Sequence, residues 1–330
     1  WEGLDPQELY TGPTLVMPDG IHSIADANAW HRQHDQQWVE DPPAQNRPFV
    51  QNWFLRCRDL IDSYQPDVLY LDDTELPLGQ AGLDIAAHYY NTALERRGNL
   101  DVVLTAKKMT PAHRAGLVED IERGVATGIR PDPWQTDTCI GSWHYERRLY
   151  DEHRYKTVPQ VVGMLIDIVS KNGNLMLSVP LRGDGTFDDD EAKFLDGLAS
   201  WMAVNGEGIF GTRPWARYGE GPSTTEAPEA GQFGGARDVR LTPYTSKDIR
   251  FMRKGDVLYA YVLAWPEDAS VTITSLGPRA GVNGRVERVD LLGAGTMRFT
   301  VAADGLEVRF PETKVGDHAF ALAIHGLKLD

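Results

Sequence analysis

Three things are scarce in this sequence, and each scarcity excludes a class of protein. There are two cysteines, Cys57 and Cys139, too few for a disulfide scaffold or a cysteine-rich metal site. No run of 18 apolar residues occurs, so we expect no membrane-spanning helix. Lysine and arginine number 33 against 48 aspartates and glutamates, a net charge of −15, whereas phosphate recognition needs a clustered basic surface. We therefore expect no nucleic-acid partner.

Motifs for metals and phosphates are also absent from the sequence. His31 and His34 are three residues apart and lack the HExxH frame of a zinc site. No glycine-rich phosphate loop follows a strand pattern, and no G-x-S-x-G nucleophile elbow occurs. The sequence thus predicts neither a metal nor a cofactor.

The hydrophobic pattern divides the chain into two regimes, and 330 residues are enough for about two domains. From about residue 20 to 210, helical patterns alternate with short apolar runs, which is typical of an α/β protein with a parallel sheet. From about 245 onward, short alternating runs are separated by Gly, Pro and Asp, which predicts an antiparallel sandwich. The predicted domains are 1–215, a linker or loop at 216–246, and 247–330.

Four short runs in the first regime predict strands, and a helical pattern accompanies each. The runs cover 68–71, 101–105, 139–143 and 175–179. The helix before the last run should stop at Asn172-Gly173, where Gly suits a left-handed cap. Four strand–helix units are about half of an eight-unit (β/α) barrel, which typically needs about 250 residues.

The first candidate for chemistry is the run Tyr64–Asp73, an apolar strand that ends in Asp72 and Asp73. Carboxylates at the carboxyl end of a parallel strand lie where barrel active sites are assembled. Such a carboxylate suits nucleophilic attack on a sugar carbon through an oxocarbenium-like transition state. The alternative is that the two aspartates only cap the following loop.

The second candidate is the run Val118–Gly124, which holds Glu119, Asp120 and Glu122. A retaining glycosidase needs a second carboxyl, about 5 Å from the first, that protonates the leaving group. The alternative is a solvated charged turn.

The third candidate is the aromatic-rich run Asp132–Tyr145. Aromatic faces beside polar groups are typical of a carbohydrate pocket, although aromatic residues of a core would give the same pattern. The run Val169–Val179 indicates architecture rather than chemistry.

Taken in order, these segments resemble family 29 glycoside hydrolases, the α-L-fucosidases, over about Trp53 to Trp215. The matching parts are Tyr-x-Pro-Asp before the first strand, Trp-x-Thr-x-Thr-x-Ile-Gly-Ser-Trp-x-Tyr, Val-Ser-Lys-Asn-Gly-Asn-Leu-x-Leu, and Asn205–Trp215. The resemblance implies a barrel followed by a β-sandwich, and it implies a retaining exo-α-L-fucosidase.

The resemblance also assigns roles to individual residues. It makes Asp72 the nucleophile, with Tyr70 where the family more often has Trp, and Asp73 where many members have Gly. The acid/base would be Glu122, with Glu119 as its rival. Two further residues would contact the sugar: Lys107, the nearest match to a family arginine, and Trp143, which matches an aromatic wall of the pocket. Many relatives carry Glu at the position of Gln135.

Two alternatives to an α-L-fucosidase stay open. The first is a non-catalytic carbohydrate-binding or structural relative, and the second is the same chemistry on α-L-galactosides.

Family members begin their barrel with His-Trp-Gly and later carry a His-His pair, and neither occurs here. We therefore expect this chain to hold the second half of the barrel, with the first half in another chain, a nicked fragment or adjoining sequence. The expected partner is a fucosylated glycan, and that substrate class favours a secreted or periplasmic protein. Oligomers are compatible with the sequence.

Overall fold

The computed structural model describes residues 19–34, 47–225 and 242–329. The chain forms two compact units, residues 1–119 and residues 120–330. Each unit has its own buried apolar clusters. No helix in the described ranges is long and apolar enough to cross a membrane.

The first unit alternates helices with two parallel strands. In chain order its elements are α1 (Ile24–Gln33), α2 (Arg47–Tyr64), β1 (Val68–Thr74), α3 (Gln80–Arg97), β2 (Val103–Lys107) and α4 (Pro111–Arg114). Val68 of β1 lies opposite Val103 of β2 in parallel register. The predicted strands at 68–71 and 101–105 are thus present, the second shifted by two residues. A short strand, β3 (Val118–Asp120), spans the boundary between the two units.

The core of the first unit forms where α3 covers the strands. Ile85 and Tyr89, one turn apart on α3, are buried in one cluster with Leu71 of β1 and Leu104 of β2. The Tyr89 hydroxyl donates to the Pro66 carbonyl at 2.9 Å, so its polar end is satisfied. The helix ends at Gly98, which has φ +74° and takes the left-handed conformation typical of a cap. This packing holds the carboxyl ends of β1 and β2 in place.

The second unit begins with another parallel pair flanked by helices. Its elements are β4 (Trp134–Cys139), α5 (Arg147–Asp151), α6 (Val158–Ser170), β5 (Gly173–Ser178) and α7 (Asp189–Asn205), and β4 pairs with β5. The strand predicted at 139–143 is therefore wrong, because the strand ends where it was expected to begin. The β4 sequence is polar, but Thr136 is buried with its hydroxyl donating to the Ile121 carbonyl at 2.8 Å. That hydrogen bond offsets the free-energy cost of burying the Thr136 hydroxyl.

The stop of α6 also differs from the prediction. Asn172, with φ +73°, takes the left-handed position, and Gly173 is already the first residue of β5. A Cβ at Gly173 would lie 2.5 Å from the Trp134 side chain, opposite it in the ladder. Glycine is needed there for close packing rather than for a cap.

The remainder of the second unit is antiparallel. Its strands are β6 (Arg213–Glu220), β7 (Ile249–Lys254), β8 (Val257–Val262), β9 (Ser270–Ile273), β10 (Asn283–Leu291), β11 (Gly295–Thr296), β12 (Arg298–Val301), β13 (Leu306–Arg309) and β14 (Phe320–Lys328). They form a six-stranded sheet in the order β11-β10-β14-β8-β7-β6 and a three-stranded sheet in the order β12-β13-β9. Phe251 of β7 and Val308 of β13 belong to one buried cluster, so the two sheets share a core. The antiparallel strands expected after residue 245 are present.

Candidate active site

Asp72 lies near the carboxyl end of β1 and is paired with Lys107, the last residue of β2. The Lys107 Nζ is 2.7 Å from the Asp72 Oδ1. The lysine side chain is only 2% exposed, whereas that of Asp72 is 71% exposed. The pair forms because neighbouring parallel strands end at the same edge, where Thr74 lies opposite Lys107. A buried cation thus holds a carboxylate that faces solvent.

Tyr70 completes this cluster from two residues earlier in β1. Its hydroxyl donates to the Asp72 Oδ1 at 3.4 Å, and the Lys107 Nζ is 5.9 Å from the centre of its ring. Both contacts to the carboxylate use Oδ1. Within the part of the chain that the structure describes, no hydrogen bond reaches Oδ2. The structure therefore brings together Asp72, Tyr70 and Lys107, three of the residues singled out by sequence. The side chain of Asp73, the alternative nucleophile, lies outside the described residues.

Glu119, one of the two candidates for the acid/base, is buried on β3. Its Oε1 accepts a hydrogen bond from Arg114 Nη2 at 2.9 Å, and the residue is 7% exposed. Its neighbour Asp120 is also fully buried. The interpretation of this run as a solvated turn is wrong for these two residues, because β3 carries them into the interior.

Glu122, the other candidate, is half-buried in the turn after β3. Two backbone hydrogen bonds attach this turn to β4, from Ile121 N to the Gln135 carbonyl and from Arg123 N to the Asp137 carbonyl, each 2.9 Å long. The Gln135 side chain donates to Asp120 Oδ1 at 3.0 Å. The turn is thus held at both ends by the neighbouring strand, which restricts where the Glu122 carboxyl can lie.

The aromatic run after β3 serves two purposes. Trp134 is fully buried, and its ring N–H donates to the Lys171 carbonyl at 3.0 Å, so it belongs to the core. Trp143, in contrast, is 39% exposed, and the guanidinium carbon of Arg123 lies 6.0 Å from its ring centre. An exposed indole beside the Glu122 turn offers an apolar face to a sugar ring.

Sequence reasoning missed some partners of these residues. Arg114, the partner of Glu119, lies in a four-residue helix whose pattern gave no signal. No group of three His, Cys, Asp or Glu side chains in the described ranges could hold a metal ion.

Comparison with known families identifies what this arrangement is similar to. A model of the alpha-L-fucosidase family matches residues 19–207, which is more than half of the chain. The chain belongs to the alpha-L-fucosidase family. A model of the alpha-L-fucosidase C-terminal domain matches residues 242–327, the region of most of the antiparallel strands.

Individual relatives agree with this family. The plasma alpha-L-fucosidases of Pongo abelii and of human are each 26% identical over 266 residues, 78% of this chain, and the chain covers 51% and 50% of them. The Thermotoga maritima alpha-fucosidase, solved with a mechanism-based inhibitor, superposes with a TM-score of 0.62 at 25% identity, over 84% of this chain and 56% of its own. The chain thus spans about half the length of the curated relatives it matches.

Proposed function

We propose that this chain carries catalytic residues of a retaining exo-α-L-fucosidase that removes terminal α-L-fucose from glycans. The observation that carries the proposal is the Asp72 carboxylate, which Lys107 anchors through Oδ1 and whose side chain is 71% exposed. It lies near the end of a parallel strand in a member of the alpha-L-fucosidase family. The distinctive requirement of a retaining mechanism is a carboxylate that is oriented yet free to attack.

In the proposed first step, Asp72 Oδ2 attacks the anomeric carbon of fucose as the bond from that carbon to the leaving oxygen breaks. Glu122 gives its proton to the leaving oxygen, so that the departing sugar is neutral. In the second step, Glu122 removes a proton from water, and the resulting oxygen attacks the anomeric carbon and releases Asp72 as a carboxylate. Lys107 and Tyr70 keep Oδ1 in place through both displacements.

Glu122 is preferred over Glu119 because of what each carboxyl contacts. Glu119 is buried, and its Oε1 is occupied by the hydrogen bond from the Arg114 guanidinium at 2.9 Å. A general acid must reach both solvent and substrate. Half-buried Glu122, in a turn beside an exposed Trp143, meets those needs better.

The proposal extends to the fold and to the substrate. The parallel strands would belong to a (β/α)₈ barrel, and the antiparallel sheets, which share one core, to a β-sandwich. The substrate would be a fucosylated oligosaccharide or glycoconjugate. α-L-Galactosides differ from fucosides by a hydroxyl at carbon 6, which an apolar pocket rejects only weakly, so slow turnover of them is expected.

A second candidate is a carbohydrate-binding protein without catalysis. It is favoured by Gln135, which the family resemblance places where many relatives carry Glu and whose amide donates to Asp120 Oδ1. An amide cannot act as a general acid or base. If the acid/base position of this chain were that of Gln135, the protein would bind carbohydrate without hydrolysing it.

The deciding experiment compares Asp72→Asn with Asp73→Asn in the natural protein, with whatever sequence adjoins residues 1–330. Release of nitrophenol from an aryl α-L-fucoside should fall at least a thousandfold in Asp72→Asn, a loss of about 4 kcal/mol of transition-state stabilisation. Asp73→Asn is the matched control and should retain most activity. If Asp73→Asn loses activity and Asp72→Asn keeps it, the nucleophile is Asp73. If the wild type does not hydrolyse the fucoside, the carbohydrate-binding function is favoured.

A further inference from the structure

A surface pocket of about 430 Å³ lies on the loops that follow β4 and β5. These are the carboxyl ends of two paired parallel strands, the ends at which barrel enzymes assemble their active sites. The lining is rich in aromatic and cationic side chains: Tyr145, Arg147, Tyr150, Arg182, Gly183 and Asp184. None of these residues takes part in the catalytic steps proposed above.

Arg182 is the most rigidly held cation of this pocket. Its guanidinium donates to the Phe187 carbonyl at 3.1 Å and lies 5.6 Å from the ring centre of Tyr150. Its backbone is fixed as well, because Arg182 N donates to the Thr186 carbonyl at 2.9 Å. In the described ranges, this guanidinium forms no close ion pair with a carboxylate, although the buried Asp188 acts on it at longer range. Its direct contacts are with uncharged groups.

Besides Arg182, the charged side chains that line the pocket are Arg147 and Asp184. Arg147 is 81% exposed and keeps only a 3.5 Å contact with Asp151. Asp184, the acid among the lining residues, is engaged inside its own loop, where its Oδ1 accepts from the backbone N and the hydroxyl of Thr186. The lining itself thus holds two arginines and one engaged aspartate, with the carboxylates of Asp188 and Glu191 buried nearby.

We propose that this pocket binds a carboxylate-bearing sugar in the leaving-group part of the substrate. A guanidinium is planar and offers paired N–H donors that match a carboxylate. An arginine held in advance by such contacts loses little conformational freedom when it binds one. The rings of Tyr145 and Tyr150 supply apolar faces for the sugar itself. This inference rests on the proposed fucosidase function, because it names the class of glycan from which fucose is removed.

The test uses a probe without fucose, so that it does not depend on turnover. Sialylated N-acetyllactosamine is titrated into the protein, in parallel with its methyl ester, which has nearly the same shape but no charge. The free acid should bind about tenfold more tightly than the ester, as expected for a charge-assisted hydrogen bond in a solvent-exposed pocket. Arg182→Gln should abolish this difference, and Arg182→Lys should restore part of it.

The matched control is Arg148→Gln, which removes an exposed arginine of α5 that pairs with Glu152 and does not line the pocket. It should leave the preference for the free acid unchanged. If Arg182→Gln does not fold, Arg147→Gln replaces it and should weaken the preference severalfold.

The inference would be overturned if acid and ester bind equally or if neither binds. It would also be overturned if the preference for the acid survives Arg182→Gln and Arg147→Gln. Failure of the fucosidase function is seen separately, as an absence of hydrolysis of the neutral aryl fucoside.

Discussion

The stability of the second unit should depend strongly on one buried ionic cluster formed by Asp167, Lys171 and Arg250. Asp167 Oδ1 accepts from Arg250 Nε at 2.7 Å, and its Oδ2 lies 2.7 Å from Lys171 Nζ. Both cations also lie near the ring of Tyr218, and Arg250 donates to Ser223 Oγ at 2.9 Å. One carboxylate therefore compensates two buried positive charges that join α6 to β7.

Asp167→Asn keeps the size of the side chain but leaves both cations without a counter-charge. Removing one partner of a buried ion pair costs about 3–5 kcal/mol, because the remaining charge stays desolvated. The amide oxygen of asparagine can accept one of the two lost hydrogen bonds, so we expect the lower part of that range, about 3 kcal/mol at pH 7.

The cost should also depend on pH. Burial alone raises the pKa of Asp167, but Lys171 and Arg250 outweigh it and hold that pKa below its usual value. A lowered folded-state pKa contributes stability that is complete above the unfolded pKa, about 3.9, and is lost as the pH falls through the folded one. The difference between wild type and variant should therefore be constant near neutrality and shrink below about pH 4.

Urea unfolding followed by tryptophan fluorescence, at pH 7 and at steps down to pH 3, measures these differences. The control is Asp317→Asn, which removes an exposed pair with Lys314 and should change the free energy of unfolding by less than about 1 kcal/mol. A loss below about 1 kcal/mol for Asp167→Asn at pH 7, or a loss that does not vary with pH, would refute this reasoning.

Three further predictions concern catalysis and packing. Glu122→Gln should slow natural fucosides far more than nitrophenyl fucoside in the glycosylation step, since good leaving groups need little protonation; equal losses would move the assignment to Glu119. Gly173→Ala should destabilise the protein by about 1–3 kcal/mol in thermal or urea unfolding, because its Cβ would overlap Trp134; an unchanged midpoint would show that the indole can move. Substitution of exposed residues between 247 and 330, such as Arg298→Gln, should change kcat by less than about twofold. Loss of turnover in a folded variant would show that these strands contribute to the active site.

The sequence predicts the parts of this molecule in which local pattern and packing agree. The run at 68–71 is apolar and bounded by Pro-Asp and Asp-Asp, and it became β1. Lys107 was singled out by the family resemblance alone, whereas the place of Asp72 at the carboxyl end of β1 follows from the strand pattern. Such inferences need only the spacing of apolar residues along the chain and the direction of its strands.

Other features depend on distant contacts that no local pattern contains. β4 was misplaced because Thr136 and Asp137 look exposed, although the hydroxyl of Thr136 is satisfied by the turn that precedes the strand. The burial of Arg250 in β7 could not be predicted, since its partner Asp167 lies 83 residues earlier in the chain. The pocket was missed for the same reason, because the fold alone brings Arg182 to Tyr145 and Tyr150.

The most direct test of the central claim, that Asp72 is the nucleophile, is chemical rescue of Asp72→Gly by azide. Glycine removes the carboxylate and leaves room for a small anion to attack the anomeric carbon from the same side. With an activated aryl α-L-fucoside, azide should restore turnover and give the inverted β-L-fucosyl azide, while the wild type should be unaffected. Absence of rescue in a folded variant, or an azide product that retains the α configuration, would contradict the assignment.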